Sequence, residues 1–318
     1  MKDYDMQIKK YSGISNPSGA VALSNDLLVI ADDEDNLLRI YDKNIVEQPL
    51  QTIKLSSVFK NIIKDGEDLE IDLESAAEVD GIYFWIGSHS SSRTGEFRPS
   101  RHRLFALEIN PGTKGKFTAS AVGGIYTTLI SDLTKDYRFD NWNLDEANKN
   151  QAKSINGLSI EGLAATKNKG LLIGFRNPLV GGKIKNDRLV NGKALVVELL
   201  NPFAVIHGEN AQFADPIELD FNGYGVREIT RRKKNKYLIV AGPYHENIET
   251  ENHKLEKTRL YTWSKKSGKL NQFKKVDLGN LNIEAAVFYP GNFDQVQLLS
   301  DDGKLTGLNA FRSIELTL

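Results

Sequence analysis

The sequence predicts an all-β fold, a β-propeller with five recognisable four-stranded blade units, and six blades as the alternative count. Three observations lead to this prediction. Five segments of the 318-residue chain share one layout, their apolar runs are short and rich in β-branched and aromatic residues, and further strand candidates stand at both ends of the chain. Repeated segments are typical of propellers and solenoids, and short apolar runs between turn residues are typical of strands.

The shared layout is a short apolar strand, a turn, and a second, more strongly apolar strand. The five units begin at Ser18, Glu74, Glu161, Arg227 and Glu284, at spacings of 56, 87, 66 and 57 residues. A four-stranded blade needs about 40–50 residues, so the connections between strands are long. The widest spacing leaves room for an insertion, or for a degenerate sixth blade between Leu104 and Ser154.

The other strands follow from the same signals. Second strands are predicted at Leu27–Ala31, Ile82–Gly87, Leu171–Gly174, Tyr237–Gly242 and Val296–Ser300. Third strands are predicted at Leu37–Tyr41, Arg103–Ile109, Ala194–Leu199 and Arg259–Trp263, and fourth strands at Leu50–Leu55, Phe117–Val122, Pro216–Leu219 and Leu270–Val276. Continuous apolar runs fit inner strands that are buried on both faces.

The two ends of the chain predict that the ring is closed. Asp5–Tyr11 precedes the first unit and Ser313–Leu318 ends the last, so we expect them to pair and to leave no exposed sheet edge. Residues 1–318 then form one domain. A polar insertion near 132–151 interrupts the pattern, and we predict either a helical excursion beside the channel or a solvated loop. An open two-sheet sandwich is the alternative fold.

Composition excludes several classes of protein. Lys and Arg total 41, Asp and Glu total 42, and the net charge is −1, so no global field favours nucleic acid or an anionic membrane. The absence of cysteine excludes disulfides and thiolate chemistry. No apolar stretch reaches the ~20 residues of a membrane span, and no signal peptide is visible. We expect a soluble protein, either cytoplasmic or exported with its signal removed.

The expected topology gathers polar residues at one end of the channel. Because adjacent strands of a blade are antiparallel, the start of the first strand lies at the same end as the residues that follow the second. The starts supply Glu74, Glu161, Arg227 and Glu284, and the second strands are followed by Asp32, His89, Arg176 and Asp301. Buried carboxylates that meet repel one another, so their charge must be compensated.

Three arrangements would resolve this repulsion. A Ca²⁺ or Mg²⁺ ion held by Glu74, Glu161 and Glu284 is the first, because these ions prefer carboxylate oxygens. Bidentate ion pairs with Arg176 and Arg227 are the second. In the third, the acids cap strand ends by accepting backbone N–H groups. We expect no organic cofactor.

The loop that follows the second strand of the second unit, residues 89–103, carries four arginines and two histidines with few acidic residues. Arginine suits planar anions, so Arg98 and Arg101 are candidates to hold a small anionic molecule, and a solvated surface loop is the alternative. His89 is a candidate general base or a hydrogen-bonded structural histidine. The loop-rich end is also where a protein partner would bind.

Several phrases carry a family resemblance. Trp85-Ile86-Gly87-Ser88-His89, Ile160-Glu161-Gly162-Leu163-Ala164 and Leu299-Ser300-Asp301-Asp302-Gly303 resemble phrases of an uncharacterised, largely bacterial family, a domain of unknown function presumed to be a propeller. The resemblance covers almost the whole chain. The second phrase is also similar to glutamate–glycine phrases of phytase-like esterases and of the calcium-binding gluconolactonase group. That weaker similarity implies a metal ligand at Glu161, although Glu74 is followed by Ser and Glu284 by Ala.

These residues favour a metal-assisted hydrolase of a small anionic ester, phosphoester or lactone. A cation held by Glu74, Glu161 or Glu284 would polarise the substrate and activate water. The candidate catalytic residues are Glu161, Glu74 and His89, and the candidate ligand-binding residues are Arg176, Arg227, Arg98, Arg101, Asp32 and Asp301. A non-enzymatic propeller that binds a ligand or a protein is the first alternative. A carboxylate-pair glycosidase, with Trp85 and Trp142 as sugar platforms, is the second.

Overall fold

Five four-stranded antiparallel sheets make up the structure, a computed structural model that describes residues 7–45, 47–60, 63–64, 67–185, 188–245, 256–274, 276–303 and 309–318. Blade 1 contains Pro17–Ala22, Leu27–Asp32, Leu37–Asp42 and Gln51–Lys54, and blade 2 contains Leu73–Val79, Ile82–Gly87, Leu104–Pro111 and Phe117–Tyr126. Blade 3 contains Ser159–Ala165, Leu171–Asn177, Ala194–Leu199 and Ile217–Leu219, and blade 4 contains Gly225–Lys233, Lys236–Gly242, Arg259–Ser264 and Leu270–Gln272. Blade 5 contains Ile283–Tyr289, Asn292–Ser300, Ala310–Thr317 and Lys9–Ser12.

The predicted five-bladed propeller is confirmed. The first strands of the five blades contact one another in a closed ring around the axis. The stretch considered for a sixth blade forms the outer strands of blade 2 and helical turns, and the part of the chain that the structure describes contains no further four-stranded sheet. Two small hairpins, Ile63–Lys64 with Glu67–Asp68 and Lys183–Lys185 with Arg188–Val190, lie outside the blades.

The N-terminal strand closes the ring by pairing into the last blade. Lys9–Ser12 runs antiparallel to Ala310–Thr317, with Lys9 opposite Ser313 and Ser12 opposite Ala310. The rings of Tyr11 and Phe311 stack at 5.1 Å between centroids. The closure predicted from sequence is therefore present, with a strand that begins later than expected; residues 1–6 lie outside the described part of the chain.

Five hydrophobic clusters, one between each pair of adjacent blades, hold the ring together. The second strand of blade 1 shows how one apolar run serves two clusters. Leu28 and Ile30 pack towards blade 5, whereas Val29 and Ala31 pack towards blade 2, because successive side chains in a strand point to opposite faces. Burying a side chain such as Val29 stabilises the fold by about 1.5–3 kcal/mol.

The insertion between blades 2 and 3 is helical and packs onto the core. It contains the helices Leu129–Thr134 and Leu144–Ala147 and the 3₁₀ helix Tyr137–Trp142. Trp142 is 2% exposed, and its ring lies 5.7 Å from that of Phe175 in blade 3. Of the two predictions for this segment, the helical excursion is the one that the structure shows.

The remaining helices are short. They are Leu55–Val58 and Pro202–Ile206, with 3₁₀ turns at Pro99–Arg101 and Thr113–Gly115. Within the described residues, no helix combines the length and the apolar character that a bilayer crossing requires.

Candidate functional site

Each inner strand carries a β-bulge at the same position of the repeat. The strand registers jump across one residue in every blade, and the five skipped residues are Ser18, Glu74, Glu161, Arg227 and Glu284. A bulge leaves one residue outside the ladder and re-aims its side chain. These five residues, here called the bulge ring, are the same ones that begin the sequence repeats.

Arginines lie between two of the glutamates of the bulge ring. Arg176 Nη1 donates to Glu161 Oε1 at 2.8 Å, and Arg227 Nε lies 3.1 Å from Glu161 Oε2. The other end of the Arg227 guanidinium contacts the Glu284 carboxylate. Arg176 is held in turn by the carbonyls of Pro243 and His245, at 3.1 and 2.9 Å. Of the arrangements considered for the acids, arginine pairing is therefore the one that Glu161 and Glu284 adopt.

The pKa values of Glu161 and Glu74 are shifted in opposite directions. Burial alone would raise the pKa of Glu161, but the adjacent Arg176 and Arg227 outweigh it and lower that pKa. Burial raises the pKa of Glu74 well above its ordinary value, and the nearby charges of Glu161 and Asp72 raise it further. Among the described residues, no side chain or backbone group donates a hydrogen bond to the Glu74 carboxyl group. The surroundings thus disfavour the ionised form of Glu74 and favour that of Glu161.

A second polar layer crosses the channel directly beneath the bulge ring. Glu228, which follows Arg227, is 2% exposed and accepts a hydrogen bond from Ser75 Oγ at 2.9 Å. Ser75 Oγ also accepts the Leu163 N–H at 3.0 Å. Burial raises the pKa of Glu228 well above its ordinary value. Sequence reasoning missed Glu228, although an acid inside an inner strand, next to a bulged arginine, was the available signal.

Close packing in this layer requires a small residue after Glu161. A Cβ at Gly162 would lie 2.9 Å from Val226 Cγ1, which is closer than carbon atoms tolerate. This accounts for the glutamate–glycine phrase by packing between blades 3 and 4. The contact with Val226 therefore explains why glycine occupies position 162. The glutamate–glycine phrase gives no evidence for a metal ligand at Glu161.

A second group of acids adjoins Glu74 on the side of blades 1 and 5. Burial raises the pKa of Asp33 to about 8, helped by the charges of Asp72, Asp32 and Asp301. Asp33 Oδ1 is buried and has no hydrogen-bond partner within the described chain. Asp72 is better satisfied, because it accepts hydrogen bonds from Ser88 and Ser90 and lies 3.1 Å from Arg101 Nη1. Asp33 thus joins Glu74 and Glu228 as an acid whose pKa is raised.

Lys153 brings a positive charge to the same mouth. Burial, followed by the charges of Arg176 and Arg227, lowers its pKa, while Glu161 and Glu74 act in the opposite direction. In the described chain no acidic side chain forms an ion pair with Lys153. Sequence reasoning missed this residue because it stands at the end of the helical insertion, away from any repeat position.

The arginines predicted to hold an anion are partly engaged by neighbouring acids. Arg101 Nη2 lies 2.8 Å from Glu70, and its Nη1 reaches Asp72 and Ser90. Arg98 pairs with Glu96 of its own loop at 3.1 Å on an exposed surface. Arg101 therefore borders the acid group at the channel mouth, whereas Arg98 lies in the outer loop.

Asp32 and Asp301 bond mainly to their own turns. Asp32 Oδ1 accepts the Glu34 N–H at 3.0 Å, and Asp301 Oδ1 accepts the Gly303 N–H at 3.0 Å. Each carboxylate thereby stabilises the turn after a second strand. Burial, then the nearby charge of Asp35, raises the pKa of Asp32 to about 6 although the Glu34 N–H favours its ionised form.

His89 is fully buried in a separate aromatic group. Its Nδ1 lies 2.9 Å from the Gly87 carbonyl oxygen, and its ring centre lies 5.2 Å from that of His102. Burial, followed by the nearby His102, lowers its pKa to about 3. None of these contacts joins His89 to Glu74 or Glu161, so the candidate general base is placed beside the ring of acids and not within it.

The arrangement at the axis does not fit a cation shared by three glutamates. The Arg227 guanidinium contacts both Glu161 and Glu284, where such an ion would have to bind. Within the described residues, no three His, Asp or Glu side chains form a group that could hold a metal ion. Ca²⁺ or Mg²⁺ at Glu74, Glu161 and Glu284 stays a prediction that this geometry does not support.

The two tryptophans proposed as sugar platforms are core residues. Trp85 is 0% exposed in the cluster between blades 1 and 2, and Trp142 is 2% exposed in the cluster between blades 2 and 3. Neither ring presents a face to the channel mouth. Core packing, the role favoured for Trp85 from sequence, is confirmed, and sugar stacking on Trp142 is wrong, because both side chains pack between blades.

Solved structures with a similar fold share little sequence with this chain. A PQQ-bound aldose sugar dehydrogenase from Streptomyces coelicolor is 11% identical over 98% of each chain, with a TM-score of 0.45. Glutaminyl cyclase from Myxococcus xanthus is 11% identical over 98% of this chain and 94% of its own, with a TM-score of 0.43. At such identities and scores, the activities of these enzymes give no information about this chain.

Sequence comparisons place the chain without assigning an activity. No curated protein matches it. The model of a family described as a protein of unknown function, DUF3616, matches residues 18–106 and 113–268, which include three of the four charged residues of the bulge ring. Because the match extends over most of the sequence, the chain belongs to the DUF3616 family of proteins of unknown function.

Proposed function

We propose that this chain is a hydrolase of a small anionic ester, phosphoester or lactone in which Glu74 is the general acid. One observation carries the proposal: the half-buried Glu74 carboxyl group, with no hydrogen-bond donor in the described chain, stands beside Glu161, whose charge is compensated by Arg176 and Arg227. Two carboxyl groups whose surroundings push their pKa values apart are the usual basis for assigning acid and base roles.

The reaction uses two carboxyl groups, Glu74 as the acid and Asp33 as the base. Water adds to the carbonyl carbon or phosphorus, and its proton passes to Asp33 in the ionised form. The bond to the leaving oxygen breaks, and the Glu74 proton passes to that oxygen. The products are an acid and an alcohol, or one hydroxy acid from a lactone, and exchange of protons with solvent restores both groups. Asp33, with a pKa of about 8, changes protonation near neutral pH, as a base of this kind requires.

Cations at the mouth support the choice of an anionic substrate. Lys153 stands close enough to Glu161 and Glu74 for both carboxyl groups to influence its pKa, and it forms no ion pair with an acidic side chain of the described chain. Arg101 borders Asp72 on the other side. Arg176, Arg227 and Arg101 are already paired with acids, so we assign them to positioning those carboxylates, and we assign substrate anion binding to Lys153.

The proposal is tested by screening purified protein against aryl esters, aryl phosphoesters, lactones and aryl glycosides, each with and without a carboxylate group. Glu74→Gln should lower kcat by about 10²–10⁴-fold, the usual contribution of a general acid, with the free energy of unfolding unchanged or raised. Glu108→Gln, an exposed change in the same blade, is the matched control. Lys153→Ala should raise KM for the anionic members more than for their neutral analogues. Turnover should survive a chelator.

Full activity of Glu74→Gln, with a pH profile equal to that of the original chain, would contradict the assignment of the general acid. If aryl glycosides were the preferred substrates, the protein would be a glycosidase and not an esterase, and Glu74 would keep its role as the general acid. Loss of turnover on chelation, restored by Ca²⁺ or Mg²⁺, would show that a cation takes part in the reaction.

A non-enzymatic binding propeller is the second candidate. It is supported by the same arginine pairs, because a Glu161 carboxylate bonded to two guanidinium groups is a weak base. The two candidates separate by calorimetry of the same compounds at neutral pH. Binding of an anion that Lys153→Ala weakens, without turnover of any screened compound, would favour the binding protein.

A further inference from the structure

A cavity lies at the end of the channel opposite the bulge ring, where the first strands of the five blades end. Its volume is about 510 Å³, within the range of pockets that hold small organic ligands. All five blades contribute to its wall, and small apolar residues form much of it, among them Ala20, Ala77, Ala165 and Ala286. We call it the distal cavity.

The distal cavity is separated from the site at the bulge ring. The hydrogen bonds of Ser75 to Glu228 and Leu163 cross the axis between the two ends. The strands also approach closely here, since a Cβ at Gly19 would lie 2.9 Å from Ser75 Cα. A ligand in the distal cavity therefore occupies a site of its own, whatever binds at the other mouth.

One side of the distal cavity is strongly basic. The hairpin turn of blade 4 contributes Arg231, Arg232, Lys233 and Lys234 in succession to its lining. Arg232 is neutralised by Asp294 at 2.7 Å, and Arg231 donates to the Thr166 carbonyl at 2.9 Å.

The two lysines of this turn keep their charge available to a ligand. Lys233 and Lys234 are exposed, and no acidic side chain of the described chain forms an ion pair with either. Lys233 Nζ lies 5.7 Å from the Phe293 ring centre. Glu78 is the acidic residue of the described wall, and its carboxylate accepts the Gly81 N–H.

We propose that the distal cavity binds a small amphipathic carboxylate, whose apolar chain lies against the alanines and whose carboxylate meets Lys233 and Lys234. The apolar wall favours such a ligand by about 25 cal/mol for each Å² of apolar surface removed from water. The excess of cations over acids selects an anionic head group over a neutral or cationic one. The ligand is a free molecule and not a bilayer, because the wall is a concave cup enclosed by five blades.

Calorimetry with octanoate tests the proposal, with octanol, octylamine and acetate as comparison ligands. Octanoate should bind with one molecule per chain, at least tenfold more tightly than any of the three. Lys233→Glu with Lys234→Glu should weaken octanoate binding at least tenfold. The matched control is Lys266→Glu with Lys269→Glu, two exposed lysines in the outer hairpin of the same blade, which should leave binding unchanged.

A second variant examines the wall. Ala22, at the partly exposed end of its strand, lines the same cavity, and Ala22→Phe should fill part of it and weaken octanoate binding tenfold or more. Glu74→Gln should not change octanoate binding, so failure of this inference and failure of the proposed hydrolase are distinguishable.

The inference is overturned if octanoate does not bind at millimolar concentration, if octylamine or octanol binds equally well, or if the double lysine change has no effect. Binding of the chain to vesicles of an anionic lipid, without stoichiometric binding of octanoate, would also overturn it. Because Lys233 and Lys234 are exposed turn residues, their replacement tests the proposal even if Ala22→Phe fails to fold.

Discussion

Glu74 and Glu161 occupy the same bulge position in adjacent blades, but their partners differ. Within the described chain, arginine side chains form ion pairs with Glu161 and none with Glu74. Both residues are bulged out of their ladders, so both side chains turn towards the axis. The neighbouring arginines lower the pKa of Glu161 despite its burial, and the charge of Glu161 is one of the causes that raise the pKa of Glu74. Two equivalent repeat positions therefore carry carboxyl groups whose pKa values are shifted in opposite directions.

Replacing these two glutamates should affect stability in opposite ways. Glu161→Gln leaves the buried Arg176 and Arg227 without their shared carboxylate, and removing one partner of a buried ion pair costs about 3–5 kcal/mol. Glu74→Gln removes a carboxyl group that is already neutral, so the free energy of unfolding should be unchanged or higher. Urea unfolding at pH 7 measures both. An equal loss of stability in the two variants would contradict the assigned charges.

Asp33 should make stability fall as the pH rises. The pKa of its carboxyl group is raised from 3.8 to about 8 in the folded protein, so the folded state holds a proton that the unfolded state has released. Its stabilising contribution is therefore present below about pH 4 and is lost as the pH rises towards 8. Asp33→Asn should reduce the difference in unfolding free energy between pH 5 and pH 8 by on the order of 1–3 kcal/mol.

Unfolding of Asp33→Asn is best followed beside Asp215→Asn, an exposed aspartate outside the channel. The second variant should keep the original pH dependence. If Asp33→Asn keeps it too, the Asp33 carboxyl group is ionised in the folded protein and its role as a base with a raised pKa is wrong.

The bridge beneath the bulge ring should depend on Ser75 more than on the acidity of Glu228. Ser75→Ala leaves the buried Glu228 carboxyl group and the Leu163 N–H without the hydroxyl, and each such loss costs about 1–3 kcal/mol. Glu228→Gln keeps an acceptor for the Ser75 hydroxyl, so it should change the unfolding free energy by less than about 1 kcal/mol. Urea denaturation measures both variants. If Glu228→Gln lost more stability than Ser75→Ala, Glu228 would be ionised in the folded protein, which would contradict this prediction.

Closure of the ring should require the N-terminal strand. Deleting residues 1–12 removes the partner of Ala310–Thr317 and the stacking of Tyr11 on Phe311, which exposes a sheet edge that favours pairing with another chain. We expect a lower thermal midpoint and self-association by light scattering. Deletion of residues 1–6 alone, which leaves Lys9–Ser12 in place, is the control, and a stable monomer after the longer deletion would contradict the closure.

The repeat was readable from sequence because each blade uses the same local pattern. The side chains of Leu27–Asp32, the second strand of blade 1, alternate between two interblade clusters. An uninterrupted apolar run therefore indicates a strand that is buried on both faces. The position of the bulge ring was also predictable, because the propeller topology brings the starts of the five first strands to one end of the channel. The bulges themselves could not be predicted, because they arise from pairing between strands.

The chemistry of the site was less readable because it depends on distances between blades. Arg176 pairs with Glu161 of its own blade, whereas Arg227 of blade 4 reaches Glu161 of blade 3 and Glu284 of blade 5. Lys153 belongs to the insertion, which has no counterpart in other repeats, so no pattern marked it. His89 follows the second strand of blade 2, whereas Arg176 lies at the end of the second strand of blade 3, and the His89 ring turns into an aromatic group with His102. Side-chain direction after a strand end is set by local turns that composition does not reveal.

The account depends most on Glu74 being protonated beside an ionised Glu161. A ¹³C NMR titration of chain labelled at the glutamate carboxyl carbon, with the Glu74 and Glu161 signals assigned by their Gln variants, measures this directly. At pH 7 the account predicts a neutral carboxyl shift for Glu74 and a carboxylate shift for Glu161, with the Glu74 signal moving only at higher pH. A carboxylate shift for Glu74 at every pH from 5 to 8 would contradict it.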